Sequence, residues 1–518
     1  MFWLKGGQLH RFLFLPFLLA TVSGLSVSGQ EHSFPAAAQQ HLSSISLGRE
    51  LLQLEQDSAD LKGEISFEKT DDDAYLLLGI NHLWEKTADG IYFRFVQEKV
   101  NTFFARNEKS RNQGADVSVV ALQYGRPMLT LYKVTGQPKY YQAATQLWQL
   151  MQKQGHFGDD DFSIALPFYV EYAALVGDTS AFDTLTDQLK LKEKEVEQSR
   201  LRRDYALRIG QYGLALVEVL DCLPDSKNRK VVLQLLKRCT IRVEEIVKQK
   251  PGSWVGLEAQ TRCIYLYTLA KASRLGYIEG PAKVNIEAGY KSIIATNPPS
   301  EGKYYSFDSQ NKGLCLLAIN EYELYNLPKP GMGHVVLLDS FFNNETKINQ
   351  SRNTIRWHYK WDEKGDNGFS TWAGQFQRAG YRTTTLYTKP TKSNLKNAAV
   401  YIIVDPDTEK ENKHPNYIKE EDIKAVVNWV KSGGVLLLMA NDSANTELDK
   451  FNMLAASFGV SFNKDSKGKV IGDHFDMGKI SIKRTNPIFS TAKAVFIKEF
   501  SSLHLTGSAQ SILKDKDG

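Results

Sequence analysis

From about residue 70 to 325, apolar positions recur three and four residues apart, and the two-residue alternation of half-buried strands is scarce. Three stretches align without gaps: Leu83–Phe93 (LWEKTADGIYF), Leu131–Tyr141 (LYKVTGQPKYY) and Tyr172–Phe182 (YAALVGDTSAF). Each ends one apolar run in a small or polar turn and starts the next with an aromatic residue, the pattern of repeated αα-hairpins. The spacing predicts helices over 75–86, 91–105, 116–134, 138–153, 160–176, 181–199, 205–222, 226–248, 256–275, 281–294 and 310–325. Such hairpins need neighbours to bury their apolar faces, so they predict an open solenoid or a closed toroid. Closure would gather helix starts and loops around one central pocket.

The texture changes at Asn326–Gly333 (NLPKPGMG), where two prolines and two glycines mark a linker. Beyond it, His334–Phe342, Tyr381–Tyr387, Ala399–Asp407 and Gly434–Asp442 read as strands with helical segments between them. That order predicts a smaller α/β domain with a parallel sheet, Rossmann-like or flavodoxin-like, covered by helices on its faces. The last residues, SILKDKDG, place a turn signal after a strand-like run, which predicts a domain that continues past Gly518. The expected division is a signal peptide over 1–30, a helical domain over 31–327 and the α/β domain over 328–518.

Lys5 and Arg11 followed by a short apolar run and small residues predict a leader, so an exported protein, periplasmic or secreted, is expected, with no membrane attachment after cleavage. The formal charge of +5 falls to about +3 once those two cations are removed, too little to argue for nucleic acid or an anionic membrane. Cys222, Cys239, Cys263 and Cys315 lack the tight spacing of zinc ligands and read as buried thiols, a disulfide among them being open in an exported protein. No metal or organic cofactor is expected.

The candidate chemistry starts at Gly158–Asp178 (GDDDFSIALPFYVEYAALVGD), where Asp159, Asp160 and Asp161 precede a long apolar helix. Carboxylates suit a helix start both as caps and through the dipole, so capping alone accounts for three acids in isolation.

Further segments change that weighting. Gly125–Ala144, Asp160–Asp178, Gly213–Pro224, Leu266–Ile278 and Asn311–Glu323 together resemble glycoside hydrolases of families 88 and 105, and the resemblance covers nearly all of 70–325 in the right order. It implies an all-α (α/α)6 six-hairpin toroid and hydrolysis of unsaturated uronyl or rhamnogalacturonyl oligosaccharides. The second half looks like an uncharacterised α/β domain appended to such proteins. The family's acid lies seven residues before the proline of its W-x-D-(G or D)-x-(Y or F)-M-x-x-P-F segment. Counting back from Pro167 gives Asp160 as the implied general acid, with Asp161 beside it.

The implied reaction is hydration of the C4–C5 double bond left on a uronic acid by a pectin lyase. It calls for an acid whose pKa is held up by a partly desolvated site. Substrate-binding roles are assigned to Asp161, His156, Arg208, Trp254 and Glu258. Arg208 can fork onto a carboxylate and Trp254 can stack on a sugar, whereas an ion pair and core packing are the plainer readings of the same two residues. Val120 stands where the family has a second pocket Asp, and Gln211 where it has Trp. These two residues carry the alternative, a non-catalytic carbohydrate-binding or vestigial toroid. In the second domain no cysteine follows Cys315, which sets aside thiol-dependent amidotransferase chemistry. Asn441 and Asp442, after a strand's carboxyl end, are weak ligand candidates by fold analogy.

Overall fold

The computed structural model describes residues 2–4, 43–62, 71–87, 89–111, 119–154, 162–223, 226–249, 253–278, 282–296, 311–348, 354–363, 368–471, 474–482, 486 and 494–514. The chain forms two compact units, one spanning Phe34–Leu327 and the other containing Pro328–Gly518 and the strand near the chain start.

Twelve α-helices make up the first unit among the described residues: α1 (Ser44–Lys62), α2 (Asp71–Thr87), α3 (Gly90–Arg111), α4 (Gly125–Thr135), α5 (Pro138–Gln154), α6 (Phe162–Val176), α7 (Ser180–Gln198), α8 (Tyr205–Cys222), α9 (Lys227–Gln249), α10 (Ala259–Arg274), α11 (Ala282–Thr296) and α12 (Lys312–Asn326). The even-numbered helices contact one another in sequence, α2 with α4, α4 with α6, and onward to α12, which returns to α2. They therefore close a ring, and the odd-numbered helices pack outside it against inner helices next to them in the chain.

Burial follows from the sequence of each layer. In α8 every residue from Tyr212 to Leu220 is buried, and in α10 every residue from Thr261 to Ala272, so these inner helices are covered all round. The outer α7 buries only Ala181, Phe182, Leu185, Thr186, Leu189 and Val196, one face at helical spacing.

One expected element differs and one unexpected helix is present. A helix was expected over 116–134; a six-residue 3-10 turn, Val119–Tyr124, leads into α4 instead. Helix α1 was not expected, although Leu47 and Leu51 lie one turn apart and are buried against the ring. The cysteines are unjoined; Cys239, Cys263 and Cys315 are buried and Cys222 is half-buried, and the Sγ atoms of Cys263 on α10 and Cys315 on α12 stand 3.1 Å apart.

Inner helices approach closely where a side chain is missing. A Cβ added at Gly125 of α4 would stand 2.6 Å from Cγ of the buried Phe168 on α6. Gly125→Ala is therefore expected to destabilise the helical unit by ~1–3 kcal/mol through overpacking, read from its urea midpoint. An unchanged midpoint would mean that α4 and α6 do not pack there.

The second unit centres on a five-stranded sheet. Its strands are β1 (Phe2–Leu4), β2 (Val335–Asp339), β5 (Arg382–Leu386), β6 (Ala398–Val404) and β7 (Val435–Met439), in the order β1-β7-β6-β2-β5. The last four run parallel and β1 lies antiparallel on the edge of β7. A hairpin of β3 (Thr346–Ile348) and β4 (Thr354–Arg356) leaves the sheet after β2. Two further antiparallel pairs join β8 (Val460–Phe462) to β11 (Leu503–Leu505) and β9 (Lys479–Ser481) to β10 (Ala494–Phe496).

Alternate residues of each strand feed two separate cores, as the two-residue period requires. Val335, Leu337, Tyr401, Ile403, Leu436 and Leu438 pack with α15 (Glu420–Lys431) and α16 (Leu448–Ala456). Val336, Leu338, Val400, Ile402 and Leu437 pack on the other face with α13 (Ser370–Arg378). Helix α14 (Lys392–Leu395) is a single turn closed by a capping box between Thr391 and Asn394.

Candidate functional site

The inner helices all run the same way, because each outer helix reverses the chain between two of them. Two of the sequence-assigned positions, Arg208 and Glu258, fall at helix starts at one end of the ring. Phe162, the first residue of α6, directly follows Asp161 in the chain; Arg208 lies in the first turn of α8; Glu258 immediately precedes α10. Asp160, Asp161 and His156 themselves lie outside the described residues, as does the side chain of Val120.

Arg208 Nε donates to Asp204 Oδ2 at 2.8 Å, an ion pair across the first turn of α8, with the Arg208 side chain one quarter exposed. Glu258 is exposed and extended, and its side chain caps no N–H group of α10. Trp254 is 2% exposed, packed against Gly289 and edge-on to Tyr265, so its ring presents no face to a sugar. Core packing is thus the reading of Trp254 that the structure carries. Near the same end, Tyr75 of α2 and Ser163 of α6 hydrogen-bond at 2.8 Å across the ring.

Farther along the inner helices lies a buried belt of charge. Arg126 Nε donates to Glu171 Oε2 at 2.9 Å, and its Nη1 to Glu218. Lys133 joins Glu171 at 2.6 Å; Lys271 joins Glu218 and also Asp221, the latter at 2.6 Å. Tyr267 donates to Glu218, and Arg274 engages both oxygens of Glu321. Four cations face four carboxylates, so the belt is neutral as a whole.

Burial alone would raise the Glu218 carboxyl, but Lys271, Arg126 and His82 hold it well below the usual carboxylate range. Burial likewise opposes charge on Lys271, and Asp221 and Glu218 overcome it and hold its ammonium well above the usual lysine range. His82 is pushed down by burial and by Lys271. From Phe162 to Glu171 the helix rises ~14 Å, so the belt stands too far from the start of α6 to share a bound sugar ring with it. It is a structural lock between helices, and sequence reasoning missed it.

The second unit carries a cleft of about 270 Å³ over the carboxyl ends of β2 and β5, lined by Asp339, Ser340, Asn343, Arg356, His358, Tyr359, Trp361 and Tyr387 among others. Carboxyl ends of parallel strands are where open α/β sheets bind ligands. Asp339, the last residue of β2, accepts from the N–H groups of Phe341, Phe342 and Asn343 through Oδ2 and from the Tyr401 hydroxyl at 2.7 Å through Oδ1. Asp405, just after β6, adopts φ 40° and accepts from Tyr359 at 2.5 Å, Asn441 N–H at 3.1 Å and Thr446. His358 and Tyr359, at φ 65° and 47°, share that left-handed conformation, unusual for residues with a Cβ. All the described non-glycine residues at positive φ therefore gather at this edge, as strained residues do at functional sites.

Asn441 belongs to the same network, whereas Asp442 caps its own turn by accepting from Ala444 and Asn445 N–H groups. The legible signal was an Asp ending each of two apolar strands, VVLLD and IIVD.

Burial pushes the Asp339 carboxyl up to about 6, outweighing hydrogen bonds that favour its charged form. Between about pH 4 and 6 the folded unit therefore holds a proton that the unfolded chain has released. This contribution is fully present at the acid end and is lost as pH rises through 6, a difference on the order of 3 kcal/mol. Hydrogen exchange of the β2 amides is expected to show that slope in the wild type and a flatter one in Asp339→Asn. Equal slopes would assign the effect elsewhere.

The first unit is thus a closed ring of αα-hairpins and the second a parallel α/β sheet. No protein-family profile matches the chain. Among solved structures, the chain is similar to a C. acetobutylicum ATCC 824 glycoside hydrolase from family 105, at 20% identity and a TM-score of 0.41, covering 53% of this chain and 99% of that one. It is also similar to a possible member of family 105 from Klebsiella pneumoniae subsp. pneumoniae MGH 78578, at 14% identity and a TM-score of 0.43, covering 57% of this chain and 95% of that one. A family 88 glycosyl hydrolase from Bacteroides vulgatus matches at 14% identity and 0.41, covering 55% of this chain and all of the other.

Proposed function

We propose that this chain is an exported glycoside hydrolase-like protein whose helical ring acts on unsaturated uronyl oligosaccharides of the kind a pectin lyase leaves. The observation that carries the reading is the clustering of α6, α8 and α10 as adjacent inner helices, their starts following or holding Asp160 and Asp161, Arg208 and Glu258. Asp160 protonates C4 of the enol-ether double bond, water adds at C5, and the resulting hemiketal collapses to an open-chain keto acid while the next sugar leaves with its oxygen protonated. Positioned acid catalysis of this kind needs a single carboxyl with a raised pKa, unlike the paired carboxylates of ordinary glycoside cleavage. Arg208, Glu258, Asp161 and His156 are assigned to holding the substrate's carboxylate and hydroxyls. The leader with Lys5 and Arg11 supports export, and its cleavage would remove β1 and leave the four parallel strands of the sheet. The order β5-β2-β6-β7 of the parallel strands supports a flavodoxin-like second domain.

The test is mass spectrometry of lyase-digested rhamnogalacturonan and pectin fragments after incubation with the full chain. Release of the terminal unsaturated unit, with uptake of one water, is the expected result; intact fragments beside folded protein would overturn it. A second reading, a vestigial ring that turns no sugar over, is favoured by the burial of Trp254 and by the Tyr75–Ser163 bond across the ring.

A further inference from the structure

We infer that the cleft at the carboxyl edge of the second unit's sheet is a binding site for a small organic oxyanion, a carboxylate or phosphate, with Arg356 as its principal recognition group. The inference is independent of the helical ring and of its proposed activity.

The wall that carries Arg356 is tied to the strand ends at three places. Arg356 Nη1 donates to the Ser340 carbonyl at 2.8 Å and to Ser340 Oγ at 3.0 Å. The Tyr359 hydroxyl reaches Asp405, and Trp361 Nε1 donates to the Thr384 carbonyl at 2.9 Å. The guanidinium also lies over the ring of Tyr387, 4.6 Å from its centre. Its plane is therefore fixed by one hydrogen-bonded nitrogen and one stacked aromatic ring, while Nε and Nη2 have no partner among the described residues. Two N–H groups pointing the same way from a fixed plane match two oxygens of a carboxylate or phosphate.

Among the described charges that line the cleft, Arg356 makes no ion pair, and its charge acts only through space on Asp407. Lys360 stands 3.4 Å from Asp362, and His358 Nδ1 stands 3.4 Å from Glu345. Asp339 is engaged by three N–H groups and Tyr401, and Asp405 by Tyr359, Asn441 and Thr446. Among the described residues no carboxylate forms an ion pair with Arg356. At about 270 Å³ the cleft falls just under the usual range of ligand pockets, which suits a group of monosaccharide size.

The test is calorimetric titration of the full chain with three ligands that share one skeleton: glucuronate, glucose 6-phosphate and neutral glucose. At least one anion is expected to bind and to weaken ten-fold or more in Arg356→Gln, with glucose not binding; which anion binds identifies the head group. Absence of anion binding, glucose binding as tightly as the anions, or undiminished binding in folded Arg356→Gln would overturn the assignment. If Arg356→Gln does not fold, Arg356→Lys keeps the charge and removes the planar fork. Weaker anion binding is then expected, and wild-type binding would overturn the assignment.

Discussion

Glu218→Gln is expected to cost the helical ring ~3–5 kcal/mol, the usual scale for stripping one partner from a buried ion pair. Glu218 is 1% exposed and holds Lys271, Arg126 and Tyr267 together, so the neutral amide leaves two cations under-compensated. Asp221 still faces Lys271 and Glu171 still faces Arg126, which keeps the loss within that range. Urea unfolding followed by far-ultraviolet circular dichroism reads the effect. Adding Lys271→Met removes one of the stranded charges, so the double variant is expected to recover part of the loss. A single-variant cost under ~1 kcal/mol would mean that the belt is solvated and that the ring is held by its apolar core alone.

The belt could not be read from the sequence, and the reason is geometric. Arg126, Glu171, Glu218 and Lys271 are each separated by 45 or more residues, and only closure of the ring brings them together. What was legible was local. Inner helices are apolar all round and connect through short turns, so spacing alone placed most of them to within a few residues. The miss at α1 came from a segment rich in Gln, Asp and Glu, whose Leu47 and Leu51 find their partners on the ring.

The second unit divides the same way. Strands β2, β5, β6 and β7 follow from short apolar or β-branched runs bounded by turn signals, and the strand-ending Asp339 and Asp405 stood in plain view. Arg356 did not, because it reaches the cleft on the β3–β4 excursion, whose position over the sheet edge is set by Tyr359 and Trp361. Trp254 was assigned to the site as a ring able to stack on a sugar, and the missing side chain at Gly289 is what receives it instead.

The largest expected effect on activity is at Asp160. If its carboxyl delivers the proton to C4, the isosteric amide in Asp160→Asn leaves binding contacts largely in place and removes the donor. A loss of ~100- to 10,000-fold in turnover is expected, the range for a positioned general acid. Glu258→Gln, at the start of a neighbouring inner helix and assigned to substrate holding, is expected to raise KM more than it lowers kcat. A loss confined to kcat there would move the acid role from Asp160 to Glu258.

The decisive measurement follows the ultraviolet absorbance of the unsaturated uronyl group in lyase-digested pectin and rhamnogalacturonan fragments, with wild type and Asp160→Asn run side by side and both checked for native helix content. Decay of the absorbance with the wild type, and at most a hundredth of that rate with the variant, is the expected result. Equal decay with both would remove Asp160 from the chemistry, and no decay with folded wild type would leave a sugar-binding or vestigial ring.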